Sequence, residues 1–425
     1  MAVPAPRELL LGAFGAALAA VEPAAAVRRA LRRNGDVLVL GDAGRYEIGS
    51  GRIRVIGLGK AAVPMARAVR EICAGLPVSG VIVSHDPAPI DDLAVMRGGH
   101  PRPDAGSVAA GEAILAEAQT AAEGDLIVCV ISGGGSALAE VPAPGLDLDD
   151  LLVVSGLLLR SGAPIDEINT VRKHLSSFKG GRLGAALAPA RVFTLVLSDV
   201  AGSPLDVIAS GPTVADATTS DDALAVIERY RLRDGIPPRV IAHLETGGAP
   251  TGRLASQEIV IVGDGAAAAD AAAGYVFDTG IPAAVVATDL TGEARDQGER
   301  AADRLLTESG PSFLVWAGET TVTVRGPGRG GRCQEAALGA ARVLEGHERV
   351  AVAALATDGR DGPTDAAGAI VDGGTVARGS AAGFDPDEAL AANDSYPILD
   401  AAGDLVFTGP TGTNVADLIF AYRAQ

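Results

Sequence analysis

RIRVIGLGKAAVPMARAVREICAGLPVSGVIVS, residues 52–84, decides the fold. Residues 52–59 (RIRVIGLG) read as a buried strand that ends on glycines, and residues 60–74 as a helix with Met65 and Val69 four apart. The next strand is 80–84 (GVIVS), so the stretch is one βαβ unit. The pattern then repeats. Asp104 is placed to cap a helix over 105–122, strands follow at 125–131 and 191–198, and helices at 147–160, 164–177 and near 220–231. Alternation of this kind implies a parallel, doubly wound, Rossmann-like sheet that binds its ligands at the C-terminal ends of the strands.

A chain of 425 residues outgrows one hydrophobic core. Residues 244–256 (LETGGAPTGRLAS) are the linker candidate. They place a boundary near 245 between a domain at 1–245 and a second α/β domain at 246–425, with strands at 258–265, 283–290, 313–320, 350–359 and 405–410. Residues 321–325 (TVTVR) alternate and suggest a hairpin arm. Residues 5–33 read as helix interrupted at Pro23, although 9–21 is apolar enough to imitate a signal peptide. No run is long enough for a membrane span. A formal charge of −18 argues against nucleic-acid and anionic-membrane partners, which select basic surfaces. Cys73, Cys129 and Cys333 are odd in number and far apart, which suits a reducing cytoplasm.

Chemistry concentrates where rare residues meet glycine. Only Lys60, Lys173 and Lys179 are lysine, and each stands in or near glycine-bearing text, a common setting for holding phosphate or carboxylate. Gly57-x-Gly59 after a strand is a weak dinucleotide signal. Lys60 inside the turn is atypical for it, and Asp86 stands farther on than the expected acid. Ser132-Gly133-Gly134-Gly135-Ser136 at a strand end offers a backbone anion nest without a Walker ending. Asp199, after the fourth strand, suits a Mg²⁺ ligand or a base, or plainly caps the next helix. Asp358, Asp361 and Asp365 crowd one loop, and residues 408–414 (TGPTGTN), with Thr411 and Asn414, form a turn expected to open a short helix. No Ser-His-Asp arrangement can be built from His85, His100, His174, His243 and His347.

In chain order, GLGKAAVPMA (57–66), HPRPD (100–104), ISGGGSAL (131–138), INTVRKHLSSFKGGRL (168–183), SDV (198–200) with VIASGPT (207–213), GETTVTV (318–324) with GGRCQE (330–335), TDGRDGPTDAAGAIVD (357–372), NDSY (393–396) and TGPTGTNVADL (408–418) resemble the type-2 glycerate kinases. The resemblance spans roughly residues 8–420, and it implies a C-terminal MOFRL region over about 310–420. It further implies phosphorylation of D-glycerate by ATP with Mg²⁺ or another divalent cation, giving 2-phosphoglycerate in a cleft between the domains. The competing expectations are an NAD(P)-dependent hydroxypyruvate reductase and a kinase of a related small hydroxy acid. A non-catalytic nucleotide- or sugar-phosphate-binding regulator is a third class.

On the kinase expectation, the Ser132–Ser136 nest and the Asn414 turn hold nucleotide phosphates. Lys60, Arg172 and Lys179 bind the glycerate carboxylate and the moving phosphoryl group, and Asp199 or Asp358 positions the metal or takes the hydroxyl proton. Gly59, Lys173, Arg332 and Thr411 complete the expected substrate and phosphate contacts. The expected partners are D-glycerate and a nucleotide, with a homodimer as an option. Cys333 stands where the family pattern has Asn, and Ser84-His85-Asp86 replaces a basic, glycine-bearing stretch; both bear on substrate identity.

Overall fold

The computed structural model describes residues 5–49, 51–248, 251, 254 and 257–425. The chain forms two compact units. The first is Pro23–Leu197 with Ser203–Val262; the second is Met1–Glu22 with Ser198–Gly202 and Gly263–Gln425. The division is thus interleaved, whereas the sequence suggested a single cut near 245. Of the linker candidate, residues 249, 250, 252, 253, 255 and 256 lie outside the described residues, and its first two residues close the helix Pro238–Glu245.

In the first unit six strands lie in the order 94–97, 78–84, 53–58, 126–132, 191–197, 257–263. The strand Ile53–Leu58 is central, parallel to both neighbours, with Gly57 opposite Ile82 on one side and Val130 on the other. It is buried at every position, as a parallel strand covered on both faces must be. Even Arg54 is enclosed, its guanidinium 3.1 Å from Glu117 and 3.4 Å from Asp125. The helix Ala62–Ile72 buries Met65, Ala66 and Val69. Asp104 and Ser107 form a reciprocal cap on Ala105–Ala118, and Asp147 with Asp150 does the same for Leu148–Ser161.

The N-terminal helical expectation needs correcting at its end. Helices Pro6–Ala20 and Pro23–Ala30 form, but Leu31–Asn34 turns into the first strand of a three-stranded antiparallel sheet with Val37–Leu40 and Gly44–Glu47. Among the described residues no single helix is long and apolar enough to cross a membrane.

The second unit carries a mixed sheet in the order 283–290, 312–318, 417–423, 350–356, 368–372, 405–406. Only its first pair is parallel; the others are antiparallel. Its central strand, Asp417–Arg423, is one that periodicity did not reveal, and the turn over 408–414 leads into it instead of into a helix. The 321–325 hairpin arm does not form: Thr321 makes one isolated bridge to Glu293. The core packs this sheet against helices Ala294–Leu306 and Arg332–Leu344.

Candidate functional site

The strand ends of the first unit explain Gly59. At φ +131° a Cβ there would stand 2.1 Å from the Ser132 hydroxyl, so no side chain fits. That hydroxyl accepts the Ala61 N–H at 3.0 Å, and the Lys60 N–H donates to the Gly133 carbonyl at 2.9 Å. Gly59 and Ser132 therefore serve each other, and two turn N–H groups that a dinucleotide would need are already consumed. The rest of the nest is different: among the described residues the N–H groups of Gly133 and Gly134 have no acceptor. Gly134, at φ +82°, leaves space that Lys60 Cγ and the His100 ring enter, 3.3 and 3.0 Å from where its Cβ would be. Among the described residues the Lys60 ammonium has no carboxylate partner. Burial, the Lys60 charge and His85 push His100 down to about 4, so its ring is neutral near pH 7.

Ser136 shares a hydrogen bond with Ser210 (2.8 Å), and Ser210 donates to Asn169 Oδ1 at 3.2 Å. Ala209 and Ser210 both hold positive φ, a strain of about 1–3 kcal/mol each that brings Ser210 to the nest. Next to Ser136 opens a cavity of 510 Å³, lined also by His100, Glu140, Arg172 and Lys179. These two cations differ sharply. Lys179 is buried and ion-paired with Glu140, which also accepts from Ser176 at 2.6 Å; burial, resisted by Glu140, lowers the pKa of the ammonium. Arg172 donates from Nε to Ser155 at 3.2 Å and forms no ion pair among the described residues. Burial disfavours its charge, so an anion in the cavity is welcome. Lys173, expected at the phosphates, lies 3.2 Å from Asp206 and 3.6 Å from Asp216, where it pins the loop after the fourth strand to helix Ile165–His174. Glu140 and Ser155 were missed in the sequence; Glu140, an acid four residues beyond Ser136, was the only signal.

The second unit gathers another set. Asn414 Nδ2 reaches Asp199 Oδ2 at 3.5 Å, the Thr411 N–H donates to the Asp358 carbonyl at 3.3 Å, and the Thr411 hydroxyl donates to Thr357 O at 2.5 Å. The turn thus brings Asp358 and Thr411 together, and Asp199 to Asn414. Arg332 is not free for phosphate: it is ion-paired with both Asp417 and Glu319. Burial opposes its charge, but Asp417 prevails and raises its pKa. Asp361 accepts the Cys333 and Gln334 N–H groups at 3.1 and 2.8 Å, capping helix Arg332–Leu344, and burial pushes it up to about 6. Cys333 is buried at that helix start, a packing position.

The family model of a domain of unknown function (DUF4147) matches residues 9–245, and that of the MOFRL family matches residues 312–417. A protein of Thermotoga maritima named D-glycerate 2-kinase is 43% identical over 380 residues, 87% of this chain and 90% of that one. The chain belongs to the type-2 glycerate kinase family. A crystal structure titled glycerate kinase, from Thermotoga maritima, superposes with a TM-score of 0.88 at 39% identity, covering 99% of this chain and 100% of that one. The name hydroxypyruvate reductase occurs too, on an Agrobacterium vitis relative 40% identical over 424 residues, 97% of this chain and 93% of its own. Of the five cations expected at the site of this glycerate kinase family member, Lys60 and Arg172 have no ion pair among the described residues, while Lys173, Lys179 and Arg332 are paired with carboxylates.

Proposed function

We propose that this chain transfers the γ-phosphoryl group of ATP to the 2-hydroxyl of D-glycerate, releasing ADP and 2-phosphoglycerate. The observation that carries the reading is that, among the described residues, Lys60 and Arg172 form no ion pair and the N–H groups of Gly133 and Gly134 have no acceptor, in the first unit of a chain similar to D-glycerate 2-kinase. Phosphoryl transfer asks for positioning and charge neutralisation more than covalent chemistry. Arg172 suits a carboxylate or phosphate held through two N–H groups, and Lys60 suits the mobile charge of the phosphoryl group. The 2-hydroxyl oxygen bonds to the γ-phosphorus as the bond to the ADP oxygen breaks, and the hydroxyl proton leaves to a carboxylate or to water.

Among the described residues no cluster of three or more metal-type side chains occurs. Asp199 and Asp358, both drawn to the Thr411–Asn414 turn, would be the residues to hold Mg²⁺, an ion that takes one or two carboxylates and fills its shell with water and phosphate oxygens. When bound, Mg²⁺ neutralises charge on those oxygens. Against the reductase reading stand the consumed N–H groups of Lys60 and Ala61, which leave the Gly57–Gly59 turn unable to receive a pyrophosphate. The three free cysteines support a reducing, cytoplasmic setting.

Phosphorus NMR of the product formed from D-glycerate and ATP tests the reading. A 2-phosphoglycerate doublet is expected; a 3-phosphoglycerate triplet would overturn the regiochemistry, and no organic phosphate would overturn the activity.

A further inference from the structure

Ser136, Ser210 and Asn169 form a hydrogen-bond relay that runs in one direction. Ser210 donates to Asn169 Oδ1 at 3.2 Å, and the Ser210 and Ser136 oxygens lie 2.8 Å apart. A serine hydroxyl carries one hydrogen. That of Ser210 goes to Asn169, so the hydrogen between the two serines belongs to Ser136. Ser210 and Asn169 are 1% and 4% exposed, and neither hydroxyl has another side-chain partner among the described residues. Neither water nor a neighbour therefore competes to reverse the order. The chain bends to hold this arrangement, with Ala209, Ser210 and Gly211 all left-handed at φ +51°, +59° and +57°. Asn169 stands on helix Ile165–His174, three residues before Arg172.

Ser136 and Arg172 both line the 510 Å³ cavity. With its hydrogen turned back to Ser210, Ser136 offers that cavity lone pairs only. Phosphate and carboxylate oxygens are acceptors as well and find no donor there, whereas a ligand hydroxyl does. The relay also ends on an amide carbonyl, which takes up no proton at neutral pH, so Ser136 cannot pass a proton away as a base would. It suits a hydroxyl that keeps its proton. We propose that Ser136 accepts a hydrogen bond from the non-reacting 3-hydroxyl of the acceptor acid, with Ser210 and Asn169 as positioning residues that fix it as an acceptor. The inference rests on the kinase reading and takes the Ser136 side chain out of the phosphate contacts expected from the motif. Arg172 for a carboxylate and Ser136 for a hydroxyl, on one cavity, match a dihydroxy acid and discriminate against acids that lack the second hydroxyl.

Calorimetric titration of D-glycerate, of D-lactate (which lacks only the 3-hydroxyl) and of ATP into wild type, Ser136→Ala and Asn169→Leu tests the contact separately from turnover. Wild type should bind D-glycerate at least about tenfold more tightly than D-lactate. Ser136→Ala should remove that preference by weakening D-glycerate about tenfold, with D-lactate and ATP staying within about twofold. In Asn169→Leu the Ser210 hydrogen turns to Ser136, so the preference should fall in the same way; a merely structural role would weaken both acids alike. Ser136 is half-buried, so Ser136→Ala is expected to fold even if Asn169→Leu does not, and it decides the matter alone. Wild type without the preference overturns the proposal, as does Ser136→Ala that keeps the preference or loses ATP affinity instead. If wild type prefers D-glycerate through Ser136 yet never releases ADP with it, the kinase reading fails while the contact stands. ADP release from D-glycerate with the preference intact in Ser136→Ala does the reverse.

Discussion

The Lys179 ammonium and the Glu140 carboxylate form a buried ion pair, closed by the Ser176 hydroxyl at 2.6 Å from Glu140 Oε1. A lysine that sequence context assigns to a ligand is thus committed to the wall of the cavity. Removing one partner strands the other without water. Lys179→Met is expected to cost about 3–5 kcal/mol in urea unfolding. The double variant Lys179→Met with Glu140→Gln should recover most of that loss. A single variant as stable as wild type would show the pair to be dispensable.

Arg172 makes the opposite case: among the described residues it donates to the Ser155 hydroxyl and forms no ion pair. Arg172→Met should lower kcat/KM about 10²-fold while moving the unfolding midpoint little. Lys60→Ala should lower kcat by a similar factor, and Lys60→Arg should not restore it, since a planar fork cannot follow a moving phosphoryl group. Near-normal kcat in Lys60→Ala would remove that residue from the chemistry.

Gly59→Ala tests the turn. The new Cβ would overlap the Ser132 hydroxyl, and φ +131° is left-handed backbone that side chains avoid. A loss of about 1–3 kcal/mol is expected in thermal unfolding with no ligand present. A variant stable alone but defective only in ATP binding would give Gly59 the phosphate role expected from the motif.

Stability should also depend on pH through the second unit. Burial raises Asp361 from 3.8 to about 6 and, against the pull of Arg332, raises Asp417 from 3.8 to about 7. Both are therefore protonated in the folded chain at a pH where they are ionised in the unfolded chain. Their contribution is complete below pH 3.8 and is lost as pH rises through about 6 and 7. Chemical unfolding at pH 5 and pH 8 should show wild type losing stability toward pH 8, with Asp417→Asn losing less. An identical slope in the variant would contradict the assignment for Asp417.

Much of the first unit was legible because its signals are local. The run RIRVIGLG carries its own burial pattern, and Asp104 announces a helix that begins one residue later. The second unit hid its organisation because its signals are distant. Asp417–Arg423 becomes a central strand through partners far upstream, at Ser312–Gly318 and Val350–Ala356. The alternation over 321–325 imitates a strand, but the Thr323 and Arg325 N–H groups go to the Glu293 and Asn393 side chains instead of a ladder. The site divided the same way. The nest was visible in three consecutive glycines, whereas the fates of Lys173, Lys179 and Arg332 depend on carboxylates at 206, 216, 140, 319 and 417 that only folding brings close.

The central claim, phosphoryl transfer to a small hydroxy acid, is tested most directly by one coupled assay. ADP release is followed with ATP, Mg²⁺ and D-glycerate, L-glycerate or longer aldonates, alongside NADH loss with hydroxypyruvate. ADP release that requires D-glycerate and exceeds that with the other acids, with no NADH loss, is the expected result. NADH consumption with hydroxypyruvate and no acid-dependent ADP would contradict it.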